Sequence, residues 1–295
     1  MRNSERGFLL LTSHLGDPQS KPLTVAQFRT LLSRVQTMER QDGNRELTER
    51  DLMSIGYSQD HAKHIVDLLS RQELLDYYVN RAAKTDCYPI TRISPLYPSV
   101  LRERIGTDCP GCLWAKGDSA LLPRPAVALV GSRELLPENR HFAEEVGKQA
   151  ALQGYVLLSG NARGADQAAQ ESCLAHGGQV ISIIADSLET CKDRPGVLYL
   201  SEDGFNMPFS TVRALSRNRL IHAMATVTLV AQCSNGKGGT WSGTTDNLHH
   251  DWSPVFCFDD GSGAVRALAE RGANLVGLDA LKDFSNLKAI NISFL

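Results

Sequence analysis

Between residues 126 and 258 the chain alternates short, continuous apolar runs with segments of helical periodicity. The runs are AVALVG (126–131), YVLLSG (155–160), QVISIIA (179–185), VLYLSE (197–202), TVTLVAQ (226–232) and PVFCF (254–258). Continuous apolar runs separated by helices are typical of parallel strands that are buried on both faces. The pattern therefore predicts an α/β fold with a doubly wound, mostly parallel sheet. The ligand site of such a fold lies at the carboxyl ends of the strands.

The first 87 residues carry helical periodicity instead of apolar runs. One predicted helical face, at the spacing i, i+3, i+4, i+7, consists of Phe28, Leu31, Leu32 and Val35. Thr48 and Asp60 are predicted to cap the starts of two further helices, and Gly56 to end one. We expect a small all-helical domain over residues 1–87 and the α/β domain over residues 88–295. A proline-rich extended connector is predicted from about Tyr88.

Composition limits the kind of surface that the chain can present. There are 31 basic and 33 acidic side chains, which gives a net charge of -2, so a nucleic-acid surface would have to be a local patch. The 7 cysteines are scattered and odd in number, which favours a reducing compartment over a disulfide framework. The early apolar run Phe8–Leu11 is too short for a signal peptide or a membrane span. We expect a soluble, cytoplasmic protein with no membrane partner.

Glycines, hydroxyls and basic side chains recur in the loops that follow the predicted strands. The candidate phosphate-binding residues are Gly131, Ser132, Arg133, Ser159, Gly160, Arg163, Gly164, Arg217, Asn218, Arg219, Lys237, Gly238, Gly239 and Thr240. Glycines let backbone N–H groups approach a ligand, hydroxyls donate hydrogen bonds, and guanidinium groups grip phosphate bidentately. The combination predicts a site for a polyanion.

Each loop alone has a purely structural interpretation. Gly131 could be only a tight turn, and Gly160 and Gly164 could serve close helix packing. Arg217 and Arg219 could form surface salt bridges, and they can reach one anion together only if their segment is bent. The motifs GxGxxG and GxxxxGK[ST] are absent, which argues against a dinucleotide enzyme and against an ATPase. The sequence predicts no cofactor and no catalytic residue.

In order and spacing, YPSVLRERI, LWAKGD, VALVGSR, LLSGNARGAD, LSED and SRNRLIHAMA resemble the DprA/Smf family of DNA-processing proteins. Asn161 and Ala165 depart from the family's SGLARGID. The resemblance implies a SAM-like helical module followed by an extended Rossmann-like domain. It also implies non-catalytic binding of single-stranded DNA in recombination and natural transformation, loading of the recombinase RecA, and a homodimer. Carried onto this chain, the family's phosphate contacts correspond to the loop 131–133, with Arg217 and Arg219 nearby.

The loop after the fifth predicted strand departs from the family. Many members have SGSLxTA there, whereas this chain has GKGGTWSGTTDN, which resembles a divergent branch with a GGTW loop. That loop is also similar to loops of the LOG-type phosphoribohydrolases, in which a glutamate does acid–base work. Asp246 is the nearest acid here, and we expect it to cap a helix start instead. A nucleotide-binding sensor or a phosphoribohydrolase-like enzyme, serving anti-phage defence, therefore remains the competing hypothesis. An adaptor whose helical module binds a partner protein is a third.

Three further features have alternative interpretations. Cys109 and Cys112 have the spacing of a metal pair, but no second pair follows, so we expect ordinary thiols and no metal site. The segment 249–251 (HHD) looks catalytic but is expected at a helix end. Trp241 could stack on the bases of a single strand, although core packing is the favoured interpretation.

Overall fold

The fold is known from a computed structural model, which describes residues 1–17, 19–38, 46–202 and 204–287. The strands are β1 (Cys87–Thr91), β2 (Cys112–Lys116), β3 (Ala126–Val130), β4 (Val156–Ser159), β5 (Gln179–Ile183), β6 (Val197–Ser201), β7 (Val227–Val230), β8 (Val255–Phe258) and β9 (Asn274–Val276). The helices are α1 (Asn3–Thr12), α2 (Val25–Gln36), α3 (Glu49–Ser54), α4 (Gln59–Leu69), α5 (Gln72–Ala83), α6 (Ser99–Arg104), α7 (Pro137–Leu152), α8 (Ala165–Ala175), α9 (Thr211–Ser216), α10 (Asn218–Met224), α11 (Gly238–His250) and α12 (Gly263–Ala269).

The strands form one sheet in the order β1-β2-β6-β5-β4-β3-β7-β8-β9. From β6 to β9 all neighbours are parallel, and all six predicted runs form strands in this part of the sheet. The chain moves outward from β3 through β4, β5 and β6, and then returns to the other side of β3 as β7. This reversal makes the crevice between β3 and β7 the topological switch point, where open α/β sheets bind their ligands. The predicted fold class is confirmed.

The proline-rich connector was predicted wrongly. Cys87–Thr91 is an edge strand that pairs antiparallel with β2, with Pro89 opposite Trp114, and Ser99–Arg104 is a helix. An edge position explains how the strand accommodates a proline, because only one side of an edge strand is hydrogen-bonded to a neighbour. β2 in turn pairs antiparallel with β6, so β1 and β2 extend the parallel sheet.

The helical residues 1–87 follow the predicted pattern in part. Thr48 caps α3 by accepting a hydrogen bond from the backbone N–H of Asp51. Ser58, and not Asp60, caps α4. Phe28 and Leu31 are buried in a small apolar cluster, whereas Leu32 is exposed. Of the described helices, none is long and apolar enough to span a membrane.

Apolar clusters cover both faces of the sheet. One of them joins Leu10, Leu75 and Tyr78, from the N-terminal helices, to Trp114 and Phe205 of the α/β part. The N-terminal helices therefore contribute to the cover of the sheet. The division of the chain into separate domains at residue 87 stays a prediction.

Candidate functional site

A cavity of about 800 Å³ lies beyond the carboxyl ends of β3 and β7. Its walls come from the loop after β3, the loop before α8, the segment 209–222, and the loop between β7 and α11. The predicted residues that line it are Gly131, Ser132, Arg133, Arg163, Arg217, Asn218, Lys237, Gly238, Gly239 and Thr240. Loops that are far apart in the chain thus meet at the switch point, as the strand order requires.

The loop after β3 is held by backbone hydrogen bonds. The N–H of Ser132 donates to the carbonyl oxygen of Gln232 at 2.9 Å, and the N–H of Ala165 donates to the carbonyl oxygen of Ser132 at 3.1 Å. A Cβ at Gly131 would lie 2.5 Å from the Cβ of Ala165, so a side chain there would push α8 away. The glycine therefore serves close packing as well as the cavity wall. Arg133 is exposed at the cavity mouth.

The loop before α8 is organised by a buried carboxylate. One oxygen of Asp166 accepts hydrogen bonds from the N–H groups of Gly160 (3.0 Å) and Ala162 (3.1 Å). Gly164 has φ 84° and packs against the carbonyls of the loop after β3, where a Cβ would not fit. Arg163, in the same loop, lines the cavity.

Three predicted residues of this region support the cavity without lining it. Ser159 is fully buried and accepts a hydrogen bond from the amide of Gln170 at 2.6 Å. Gly160 lies under the guanidinium of Arg217, which a Cβ would overlap. Gly164 shapes the turn described above. Their glycine and hydroxyl character serves packing, so their direct contact with an anion is not supported.

Arg217 is the buried cation of the cavity. It lies between α9 and α10, with 8% of its surface exposed, and donates one hydrogen bond to the carbonyl oxygen of Ile183. Its Nε has no hydrogen-bond partner among the described residues. Burial lowers the pKa of Arg217 and raises the pKa of Asp166, while the opposite charge of each partner acts against these shifts. Arg217 lines the cavity, and an anion bound there would stabilise its buried charge.

Arg219 does not line the cavity, so the structure does not bring this predicted residue together with the others, and its contact with phosphate stays a prediction. Its guanidinium pairs with Glu202 at 2.9 Å and donates to the carbonyl oxygen of Asp108 at 2.6 Å. Residues two positions apart on a helix differ by about 200° of rotation about its axis, so Arg217 and Arg219 point to opposite sides. Asp203, which follows Glu202 in the sequence, lies outside the described residues.

The N-terminus of α11 forms the opposite wall. Lys237 occupies the N-cap position without a side-chain cap, and Gly238 has φ 84°. The amide of Asn218 donates to the carbonyl oxygen of Gly239 at 3.1 Å, which ties α10 to this turn. The free N–H groups of a helix start and the positive end of its dipole favour an anion. Lys237 adds a full positive charge at the same place.

The charges around the cavity favour an anion overall. Four cations line it, namely Arg133, Arg163, Arg217 and Lys237, against the two carboxylates of Glu134 and Asp166. His222 also lines it, but burial lowers the pKa of His222 to about 3, so this ring is neutral at physiological pH. The site is a local positive patch on a chain of net charge -2.

Sequence reasoning missed several lining residues. Gln232 and Ser234 follow β7, so their position at a strand end was a usable signal. Phe209 and Leu215 had no such signal, because apolar residues do not resemble phosphate ligands. Asp166 was visible in the SGNARGAD motif, but its role as an acceptor for loop amides depends on the folded loop.

The remaining candidates take structural positions. Trp241 is half-buried, packs on an apolar cluster and lies under the guanidinium of Arg271, 5.3 Å from the ring centre, and it does not line the cavity. Asp246 is exposed in the interior of α11, so the expectation that it caps a helix start was wrong. Asp251 ends α11 in the left-handed conformation, as expected for a helix end.

The two CPGC thiols are both buried. The hydroxyl of Tyr97 contacts the sulfur of Cys109 at 3.5 Å, and the thiol of Cys112 faces the carbonyl oxygen of Leu113 at 3.6 Å. In the parts of the chain that the structure describes, no group of three or more His, Cys, Asp or Glu side chains is placed to hold a metal ion.

Fold and site together define a Rossmann-like α/β protein with a cavity at its switch point that four cationic side chains line. The sequence profile of the DNA recombination-mediator protein A family matches residues 89–277. The chain therefore belongs to this family, whose members act in DNA processing and recombination, and the predicted resemblance to DprA/Smf proteins is confirmed.

Individual relatives agree with this assignment. The chain is 29% identical over 216 residues to the DNA processing protein DprA of Streptococcus pneumoniae, covering 68% of this chain and 72% of that protein. It is 27% identical to protein Smf of Escherichia coli, covering 49% of this chain and 41% of Smf.

Solved structures show the same fold. The structure of S. pneumoniae DprA superposes with a TM-score of 0.69 at 24% identity and covers 96% of this chain and 98% of that one. DNA processing protein A of Helicobacter pylori, described for its single-stranded DNA binding mode, superposes with a TM-score of 0.56 at 24% identity, over 66% of this chain and 94% of that one.

Proposed function

We propose that the cavity binds the phosphodiester backbone of single-stranded DNA, without catalysis, as the DNA-contacting step of a recombination function. Arg217 carries this proposal, because this buried cation lines a cavity that other cations and a helix start also line, and a bound anion would stabilise its charge. Phosphate is the anion of nucleic acid, and guanidinium groups and helix N-termini are its usual ligands. The family membership of the chain supports DNA as the molecule that supplies the phosphate.

Recognition of this kind is independent of base sequence. The cations that line the cavity are suited to phosphate, and contacts to phosphate position a strand without reading its bases. We further propose, from the family resemblance alone, that the chain forms a homodimer and loads the recombinase RecA on the bound strand. These two functions need surfaces outside the cavity.

The test is a titration of labelled oligo-dT and of a panel of mononucleotides against the full chain. We expect tight binding of the oligonucleotide, weak binding of mononucleotides, and no release of free base. Arg133→Ala and Lys237→Ala should weaken binding alike for oligo-dT and for mixed sequences, since both side chains would contact phosphates. Arg29→Ala removes an exposed arginine of α2 that does not line the cavity, and serves as the matched control.

A small nucleotide is the second candidate ligand. The cavity volume of about 800 Å³ lies within the usual range for small-molecule sites, which favours this alternative. Asp166 is one of two carboxylates that line the cavity, and in an enzyme it would be a candidate for acid–base work, although its Oδ2 accepts hydrogen bonds from two loop amides. Tight mononucleotide binding, or release of free base, without oligonucleotide binding would establish a sensor or hydrolase instead.

A further inference from the structure

An exposed apolar surface adjoins the cavity on the α9 side. Phe209, Val212 and Leu215 are 51%, 76% and 47% exposed, and we call this group the apolar shelf. Phe209 and Leu215 both line the cavity. Val212 and Leu215 are three residues apart on α9 and so share a helix face, and Phe209 lies just before the start of that helix. Single exposed apolar residues are common, but several of them in one short segment beside a cavity are typical of a binding surface.

The shelf is held in place from below. Arg213, on the inner side of α9, is buried and donates to the hydroxyl of Ser201 at 2.8 Å and to the carbonyl oxygens of Met207 (2.9 Å) and Pro208 (2.8 Å). Ser210 caps the start of α9 by accepting a hydrogen bond from the N–H of Arg213 at 3.1 Å. A ligand would therefore meet a preformed surface and would not have to order it.

We propose that the apolar shelf binds unpaired bases of the strand whose phosphates occupy the cavity, with Phe209 as the stacking ring. This inference rests on the proposed function. In a single strand of DNA, the charged phosphates lie next to the flat apolar faces of the bases. In the protein, the four cations of the cavity likewise lie next to the apolar shelf. Stacking on an aromatic ring accepts every base, so it agrees with recognition that ignores sequence. Trp241, which the sequence suggested for this role, is covered by Arg271.

The shelf is tested with two probes that carry the same phosphates. One is oligo-dT and the other is a single-stranded oligomer of abasic sites of equal length. The wild type should bind oligo-dT more tightly than the abasic oligomer. Phe209→Ala should lower the affinity for oligo-dT about tenfold, within the range measured for base stacking, and leave the abasic oligomer unchanged. Phe209→Trp should keep the preference.

Tyr77→Ala is the matched control, because it removes another exposed aromatic ring, 66% exposed, from α5. It should leave both affinities unchanged. Thermal melting of each variant identifies loss of folding, which is a small risk because half of the Phe209 surface already faces solvent.

The outcomes separate this inference from the proposed function. If the wild type binds neither oligomer, the proposed function fails. If it binds both equally, or if Phe209→Ala weakens both or neither, DNA binding stands and the role of the shelf is refuted. If Phe209→Ala leaves the preference intact and converts a dimer into a monomer by light scattering, the shelf is a contact between two copies of the chain.

Discussion

Arg217 and Gly160 act as a pair at the scale of single residues. The guanidinium occupies the space that a side chain at position 160 would need, and its Nε lacks a partner among the described residues. A cation buried in this way loses hydration that only a few protein groups replace, and a bound phosphate would compensate. Asp166 and Asp186 supply opposite charge nearby. In the proposed phosphate site, the small residue would therefore serve to make room for the buried charge.

Gly160→Ala tests this arrangement by displacing Arg217. We expect a loss of oligo-dT affinity of about the same size as that of Arg217→Ala, because both changes remove the guanidinium from its position. The double variant should be no weaker than either single variant, as measured by fluorescence anisotropy in a double-mutant cycle. Additive losses would show that Gly160 and Arg217 act independently.

Arg219→Ala separates a structural arginine from a binding one. The substitution leaves Glu202, whose side chain is 6% exposed, without its ion-pair partner. We expect a loss of about 1–3 kcal/mol in the free energy of unfolding, measured with urea, and unchanged oligo-dT affinity. Arg133→Ala should show the reverse pattern. Weaker DNA binding by folded Arg219→Ala protein would return Arg219 to the site.

Among the elements, the central strands were predictable and the edges were not. Strands such as β3 are buried on both faces, so they appear as continuous apolar runs. β1 contains Pro89 and resembles a connector, and only its pairing with β2 defines it as a strand. The residues of the candidate site also divide into those that the sequence predicts and those that only the folded structure places. Strand-end loops such as 131–133 were visible in the sequence, whereas the direction of Arg219 depends on helical rotation and on Glu202.

The burial of His222, which lies on α10, predicts that the stability of the protein depends on pH. His222 is buried, 3.2 Å from the hydroxyl of Thr228, and burial lowers its pKa to about 3 from 6.5. Below about pH 6.5, His222 binds a proton in the unfolded chain but not in the folded chain. The stability of the fold therefore decreases as the pH falls towards 3. Because of this group, we expect the free energy of unfolding, measured with urea, to be about 2 kcal/mol lower at pH 5 than at pH 7.

His222→Gln is the control for this effect. The variant should lose that part of the pH dependence while other groups titrate alike in both proteins. An identical pH dependence in the variant and the wild type would assign the acid sensitivity to groups other than His222.

For the whole molecule, a net charge of -2 with a local cationic cavity leads to a specific salt dependence. Long-range attraction to DNA is small for such a chain, so affinity must come from contacts inside the cavity. Four cations line it, and each phosphate that a cation neutralises releases counterions. If all four engage a single strand, log Kd should rise with log salt concentration with a slope of about 3.

The slope is measured with oligo-dT between about 50 and 200 mM salt. Arg133→Ala and Lys237→Ala should each lower it by roughly 0.7, because each removes one neutralised phosphate. Phe209→Ala should leave the slope unchanged while weakening binding, since the shelf carries no charge. A slope near zero in the wild type would contradict the phosphate contacts. An equal change of slope in all three variants would show that charge neutralisation and base stacking are not carried by separate residues.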